Sequence, residues 1–560
     1  MKRAALVSLA LFVGGPVAAA EMQSPVITLS NVNWDAAAAS VPGRASEPAA
    51  EAFARLNAIT GKRFAGIAKS TVPVLLPFDV DAFHKDDAEA KPDAASSDKY
   101  FGRFHPTKFF LAGPAGYDAT FLASGFDSRS DKPIVVEITG AAFVYALDGP
   151  DHQEVFPPKG LDDLFPGMRR ILREAHVRYA FERFGVPYVV AIQCYDRPPS
   201  RRYLSCREAD PIAGAFLRQL RTAGGAPAKL PGPKTDLSRP TAQSDFTYHG
   251  PGDLIANSGW NKLPGRADYH VYTHMRFPIA TAPAYVKSQS FMPWGDCYKS
   301  GVVGRLGHRD AEYRCRRNDK QLIFNESAPE NFSYPWRDNF CELRDWLVGQ
   351  CPGGYGHQGE DIRPAHCVLN NAEADRCLPY QDNIAAVHDG VIRRMPGNLA
   401  AYLVANNENE HVRFRYLHMN PKFMDADGLL NGRQVSEGEI IGKMANWGDY
   451  ENGTSYHLHF NMQVFTSVGW VWVNPYMTLV AAYERLIGGR GTEINSSEPA
   501  PPVPIKLPVI RNPAPAARAP AAALSEPPAK VKKADAESAK PHKRRHVHRI
   551  RHKRRHEAEN

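Results

Sequence analysis

The chain reads as a multidomain α+β protein, and three observations lead there. Its 560 residues exceed what one hydrophobic core usually organises. Residues 133–138 and 186–192 are short apolar runs rich in Val and Ile, the pattern of buried strands. Farther on, Tyr456, Leu458, Phe460, Met462 and Val464 alternate with His457, His459, Asn461 and Gln463 at period two, which places both histidines on one face of a strand.

From the N-terminus, Lys2 and Arg3 precede an apolar run over 4–13, Gly14-Gly15-Pro16 breaks any helix, and Ala18-Ala19-Ala20 offers a cleavage site before Glu21. Residues 1–20 are therefore expected to be a cleaved secretory signal peptide, since the run is too short to span a bilayer. That predicts a periplasmic or otherwise secreted protein. Residues 21–95 are Ala-, Asp- and Ser-rich and read as poorly ordered, apart from one helical stretch near 50–59. Residues 96–225 read as a small α/β accessory domain. Between its two apolar runs, 165–184 is expected to be a basic amphipathic helix carrying Met168, Ile171, Leu172, Ala175 and Ala180, and 213–221 a second helix.

Residues 226–246 are Pro-, Gly- and Thr-rich, a linker. The region 247–490 begins with an aromatic, loop-rich part that includes Phe291, Trp294, Tyr334 and Trp336, expected to build the walls of a groove. Residues 491–560 form a Pro/Ala stretch and then a basic, His-rich tail, a composition that cannot bury a core. Within 526–560 there are 12 Lys/Arg and 5 Asp/Glu, a net of +7 against +8 for the whole chain, so nearly all the excess charge sits there. In an exported chain this predicts attraction to anionic envelope polymers or lipid headgroups; no nucleic-acid partner is expected.

Eight cysteines, an even number, suit an oxidising compartment. Their grouping suggests local pairs: Cys194 with Cys206, Cys297 with Cys315, Cys341 with Cys351, and Cys367 with Cys377. The last two would bracket His357 and Asp361.

Three motifs carry the chemistry. They are Gly356-His357-Gln358-Gly359-Glu360-Asp361, Tyr416-Leu417-His418-Met419 and Tyr456-His457-Leu458-His459-Phe460, which together supply four histidines and one carboxylate. Such a set is sufficient to hold zinc and act on water beside it. The glycines around His357 argue against a helix there and for a turn entering a strand. A His-x-His alone means little, since His546-Val547-His548 occurs in the tail by composition.

In order and residue type the three motifs resemble those of the lysostaphin-type zinc metallopeptidases, which cut peptidoglycan cross-bridges. Residues 384–392, 435–442 and Val473-Asn474-Pro475-Tyr476 are similar to that family's connecting segments, so the likeness is specific over about 350–480. An insertion carrying Cys367 and Cys377, and the stretch 397–415, depart from the family. The resemblance implies a mainly antiparallel β metallopeptidase domain of the duplicated hybrid motif type over 247–490. It assigns His357, Asp361 and His459 as ligands of one Zn²⁺, with His418 and His457 as the catalytic pair. It implies a zinc metallo-endopeptidase whose partner is peptidoglycan, acting on stem peptides or cross-links; a non-catalytic zinc-holding regulator or binding module of the envelope is the alternative. His308, His366, His388 and His411 lie in polar surroundings and are expected to be solvated, and Asn461 is either a supporting group for the site or a plain strand residue.

Overall fold

A computed structural model describes residues 21–494, with breaks of which the longest are 300–312, 366–376 and 448–455. The signal-peptide and tail segments, His308, His366 and Cys367 lie outside the described residues. Two antiparallel sheets dominate, and each is built from hairpins.

The first sheet has seven strands: Phe104–Gly113, Gly116–Ala123, Ile134–Ala141, Val186–Gln193, His176–Arg183, Arg169–Arg173 and Glu154–Phe156, in that spatial order. Every pair in it is antiparallel, which corrects the expected α/β unit: no β-α-β crossover links these strands. The expected helix over 165–184 is instead a hairpin, Arg169–Arg173 against His176–Arg183, with Arg173 opposite His176. Its two turn residues, Glu174 and Ala175, both have positive φ (51° and 56°), the turn whose twist matches that of the paired strands. Period-two alternation is hidden because both faces are buried. Val177, Tyr179 and Phe181 join the main core, whereas Ile171 and Ala180 join a second cluster with Phe465, Trp470 and Val471. The following helix, Cys206–Gln219, starts at a capping box made by Ser205 and Glu208 and is tied to the sheet by the Cys194–Cys206 disulfide.

Residues 21–95 are better organised than their composition suggests. Helices Trp34–Ala39, Ala49–Thr60 and Val80–Ala88 form, and Ala37, Ala38, Val41, Phe53 and Leu56 close a small core. Alanine supplies little area per residue, but it lets the first two helices approach closely while Phe53 fills the gap.

The second sheet runs Tyr285–Val286, Glu360–Arg363, Leu458–Thr466, His411–Leu417, Ala401–Asn406, Gly390–Arg393 and Gln434–Val435, with Gly469–Val473 paired to Leu458–Thr466. Helix Tyr476–Ile487 lies against it, and its Tyr483 meets Trp336, Phe246 and Phe277 in a buried aromatic cluster. Strand Gln243–His249, which begins inside the expected linker, pairs in parallel with Arg490–Ile494.

Polar side chains lock the two sheets together. Asp118 of the first sheet accepts from Arg413 Nη2 at 2.9 Å and lies 2.7 Å from His411 Nε2, while Glu137 takes Arg413 Nη1 at 3.1 Å and also Arg393. Trp470 Nε1 donates to Thr139 at 3.0 Å, and Arg413 packs over the Trp470 ring. His411 is thus fully buried and paired, not solvated. His388 is also partnered, by Glu410. Burial by itself would push Asp118 up, but His411 and Arg413 beside it hold the carboxyl well below its usual range.

Two outcomes follow. Asp118→Ala strands a buried guanidinium and imidazole, and unfolding titrations should show a loss of about 3–5 kcal/mol. For His388, burial lowers the pKa but the Glu410 carboxylate outweighs it and raises the ring to about 9. A raised folded-state pKa stabilises most below the unfolded value near 6.5. Stability should therefore fall by about 1–3 kcal/mol as pH rises from 6.5 through 9, and His388→Gln should flatten that decline in pH-dependent melting.

Candidate metal centre

Strand register brings the three motifs to one point. Asp361 pairs with His459 on one side of the Leu458–Thr466 strand, and Leu417 pairs with His459 on the other, so His418 arrives next to the same place. Gly359 permits this approach, since a Cβ there would strike the Phe460 carbonyl. His418 leaves its strand with φ of 64°, a left-handed conformation uncommon for a non-glycine residue. That bend lets Nδ1 meet the Trp447 carbonyl at 2.7 Å, so Nδ1 carries the hydrogen and Nε2 keeps the lone pair.

Asp361 Oδ1 is the hub. It lies 3.4 Å from His357 Nε2, 3.2 Å from His457 Nε2 and 3.1 Å from His459 Nδ1. Two overlapping trios of donor atoms lie within 4.8 Å of one another, His357–Asp361–His459 and His418–His457–His459. All five residues expected from the sequence are thereby gathered. His357, Asp361, His457 and His459 are fully buried and His418 is partly exposed, so the cluster is more enclosed than an open groove.

Burial by itself would raise Asp361, yet His357 and His457 outweigh it and hold the carboxyl well below its usual range. The imidazoles move the other way. Burial lowers His357 more than Asp361 restores it; burial and then His357 push His459 far down; burial and then His457 take His418 to about 3. An ionised carboxylate beside imidazoles at His357, His418 and His459 whose protonation burial disfavours is a donor set that fits a small divalent cation such as zinc. His357 is also correctly turned for it, because its Nδ1 donates to the Asn339 carbonyl at 3.0 Å and leaves Nε2 facing Asp361.

Several supporting residues escaped the sequence reading. Asn339 Oδ1 accepts the Asp361 N–H at 2.9 Å. Glu360, buried beside Asp338 and with its pKa raised well above the usual range by burial and then by that neighbour, receives the N–H groups of Asn339 and Phe340. Asn339 directly follows the aromatic segment 334–338, and Glu360 lies inside the first motif between the residues assigned as ligands. Asn461, which the sequence left open, contacts His459 Nε2 at 2.8 Å and so belongs to the site. The Cys341–Cys351 disulfide fixes the loop whose Cys341 N–H bonds the His357 carbonyl, and Cys377 is also disulfide-bonded. Cys297 and Cys315 face each other in strand register. Of the expected aromatic walls, Trp336 is core, and Phe291 and Trp294 lie outside the described residues; Trp346, from the end of the same aromatic region, is exposed, its ring 6.0 Å from His357 and 6.2 Å from His459.

No helix among the described residues is long and apolar enough to cross a membrane. No known family profile and no curated protein matches the chain. Among solved structures, a candidate glycyl-glycine endopeptidase, lytM, from Ruminococcus gnavus is similar at 22% identity over 25% of this chain, with a TM-score of 0.18. The match spans about half, 53%, of that protein's length.

Asn339→Ala leaves the buried Asp361 N–H without its acceptor. Urea unfolding should show a loss of about 1–3 kcal/mol.

Proposed function

We propose that the chain is a secreted zinc-dependent endopeptidase that hydrolyses peptide bonds in peptidoglycan stem peptides or cross-links. The observation that carries this reading is the convergence of His357, Asp361, His418, His457 and His459, from three motifs far apart in sequence, around one buried carboxylate. His357, Asp361 and His459 would hold the zinc. Bound there, it supplies Lewis-acid activation of water and of the scissile carbonyl. The substrate class rests on the order and residue types of the motifs.

His418 and His457 work beside that triad. The His418 ring, whose Nδ1 hydrogen bond to the Trp447 carbonyl leaves the lone pair on Nε2, would accept a proton from the attacking water. His457, whose ring centroid is 4.7 Å from that of His418, would donate to the oxyanion forming on the carbonyl. The Cys194–Cys206 and Cys341–Cys351 disulfides agree with work outside the cytoplasm. The basic segment 526–560 would hold the enzyme to anionic envelope polymer.

Turnover of purified peptidoglycan, with and without chelator, tests this. Chelator-sensitive release of peptides is expected; zinc binding with no release would leave a non-catalytic zinc-holding module. His459→Ala and Asp361→Ala should lose both metal and activity. His418→Ala and His457→Ala should keep zinc by elemental analysis and lose about 10²–10⁴ in turnover. Metal loss in His418→Ala with retention in His459→Ala reverses the ligand assignment.

A further inference from the structure

Arg415 sits on the same face of its strand as His411 and Arg413, two residues nearer the metal centre. Its Nε donates to Asn461 Oδ1 at 2.7 Å and its Nη2 to Gln358 Oε1 at 2.9 Å, while its guanidinium packs over Trp472 at 4.6 Å. A guanidinium has only donors, so the Asn461 atom that meets it is the carbonyl oxygen. This orients the amide without ambiguity: its NH₂ faces His459 Nε2 at 2.8 Å.

That orientation has a chemical consequence at the ligand. An NH₂ group donates, so His459 Nε2 must be the lone-pair nitrogen, and the ring's one hydrogen sits on Nδ1. Nδ1 lies 3.1 Å from Asp361 Oδ1 and 2.9 Å from His357 Nε2, both of which accept. A cation held at Nδ1 needs the lone pair there and the hydrogen on Nε2. The outer nitrogen of a metal-bound imidazole ordinarily finds an acceptor. Here it finds a donor, held in place by Arg415.

We propose that Asn461, oriented by Arg415, is a positioning residue that lowers the metal affinity of the His357–Asp361–His459 site by opposing the His459 tautomer that binding requires. The proposal rests on the ligand assignment made above. It makes the pair a tuning device: any change that lets an acceptor face His459 Nε2 tightens the site.

The test uses the full chain, stripped with chelator and titrated with Zn²⁺ against a chromophoric competitor, with circular dichroism and Tm recorded for each variant. Asn461→Asp provides oxygens for both Arg415 and the His459 Nε2–H, and should tighten zinc about tenfold or more. Arg415→Met keeps an apolar stem over Trp472, frees the amide to turn, and should tighten zinc in the same direction. Should the buried carboxylate of Asn461→Asp prevent folding, Arg415→Met decides alone. Unchanged or weaker affinity in a folded Arg415→Met shows that Arg415 only props Gln358, and overturns the proposal. Wild-type protein that takes up no zinc overturns the ligand assignment and the proposal together. Zinc uptake without peptidoglycan turnover overturns the enzymatic reading and leaves the affinity test standing.

Discussion

Everything in the centre depends on one register, the ladder that sets Asp361 and Leu417 on either side of His459. Side chains in a strand alternate between faces, so a slip of one residue would send His459 to the opposite face and disperse the cluster. Two features guard the Asp361 side of this register. Gly359 lets the first strand reach the Phe460 carbonyl, and Asn339 fastens the Asp361 backbone from outside the sheet. Around that ladder the carboxyl of Asp361 is held below its usual range and the rings of His357, His418 and His459 below theirs, which no single residue in the set achieves alone.

The first sheet supports the second through buried charge. Asp118 and Glu137 meet His411, Arg413 and Arg393, and Trp470 closes the contact from above with its own hydrogen bond to Thr139. Such pairs contribute modest net stability but are costly to break, because each partner left alone is a desolvated charge. His411, Arg413 and Arg415 then share one strand face, running from the sheet–sheet contact to the Asp361–histidine cluster. The accessory sheet is accordingly part of what holds the site's strands in place.

The site was far more legible in the sequence than the fold around it. Metal-ligating residue types are few, and His357, Asp361, His418, His457 and His459 carried a recognisable order, so their gathering could be read without coordinates. Asn339, Glu360 and Arg415 were not legible, because their roles come from partners more than 20 residues away or from backbone groups that any sequence supplies. The hairpin over 169–183 was misread as a helix for a different reason: a strand buried on both faces loses the polar alternation that betrays it. Composition misled at 21–95, where small alanines under Phe53 and Leu56 suffice for a core. His388 and His411 were taken for surface residues because their partners, Glu410 and Asp118, lie across a turn and across a sheet contact.

The two-sided burial of the first sheet also constrains the order in which the chain can finish folding. Ile171, Ala180 and Val189 wait for Phe465, Trp470 and Val471, which are synthesised nearly 300 residues later. Until those residues emerge, the first sheet carries an uncovered apolar face, and its Asp118 and Glu137 lack Arg413. A sheet formed early in this chain therefore keeps one face uncovered over about half of its synthesis, until the strands at 458–473 close over it.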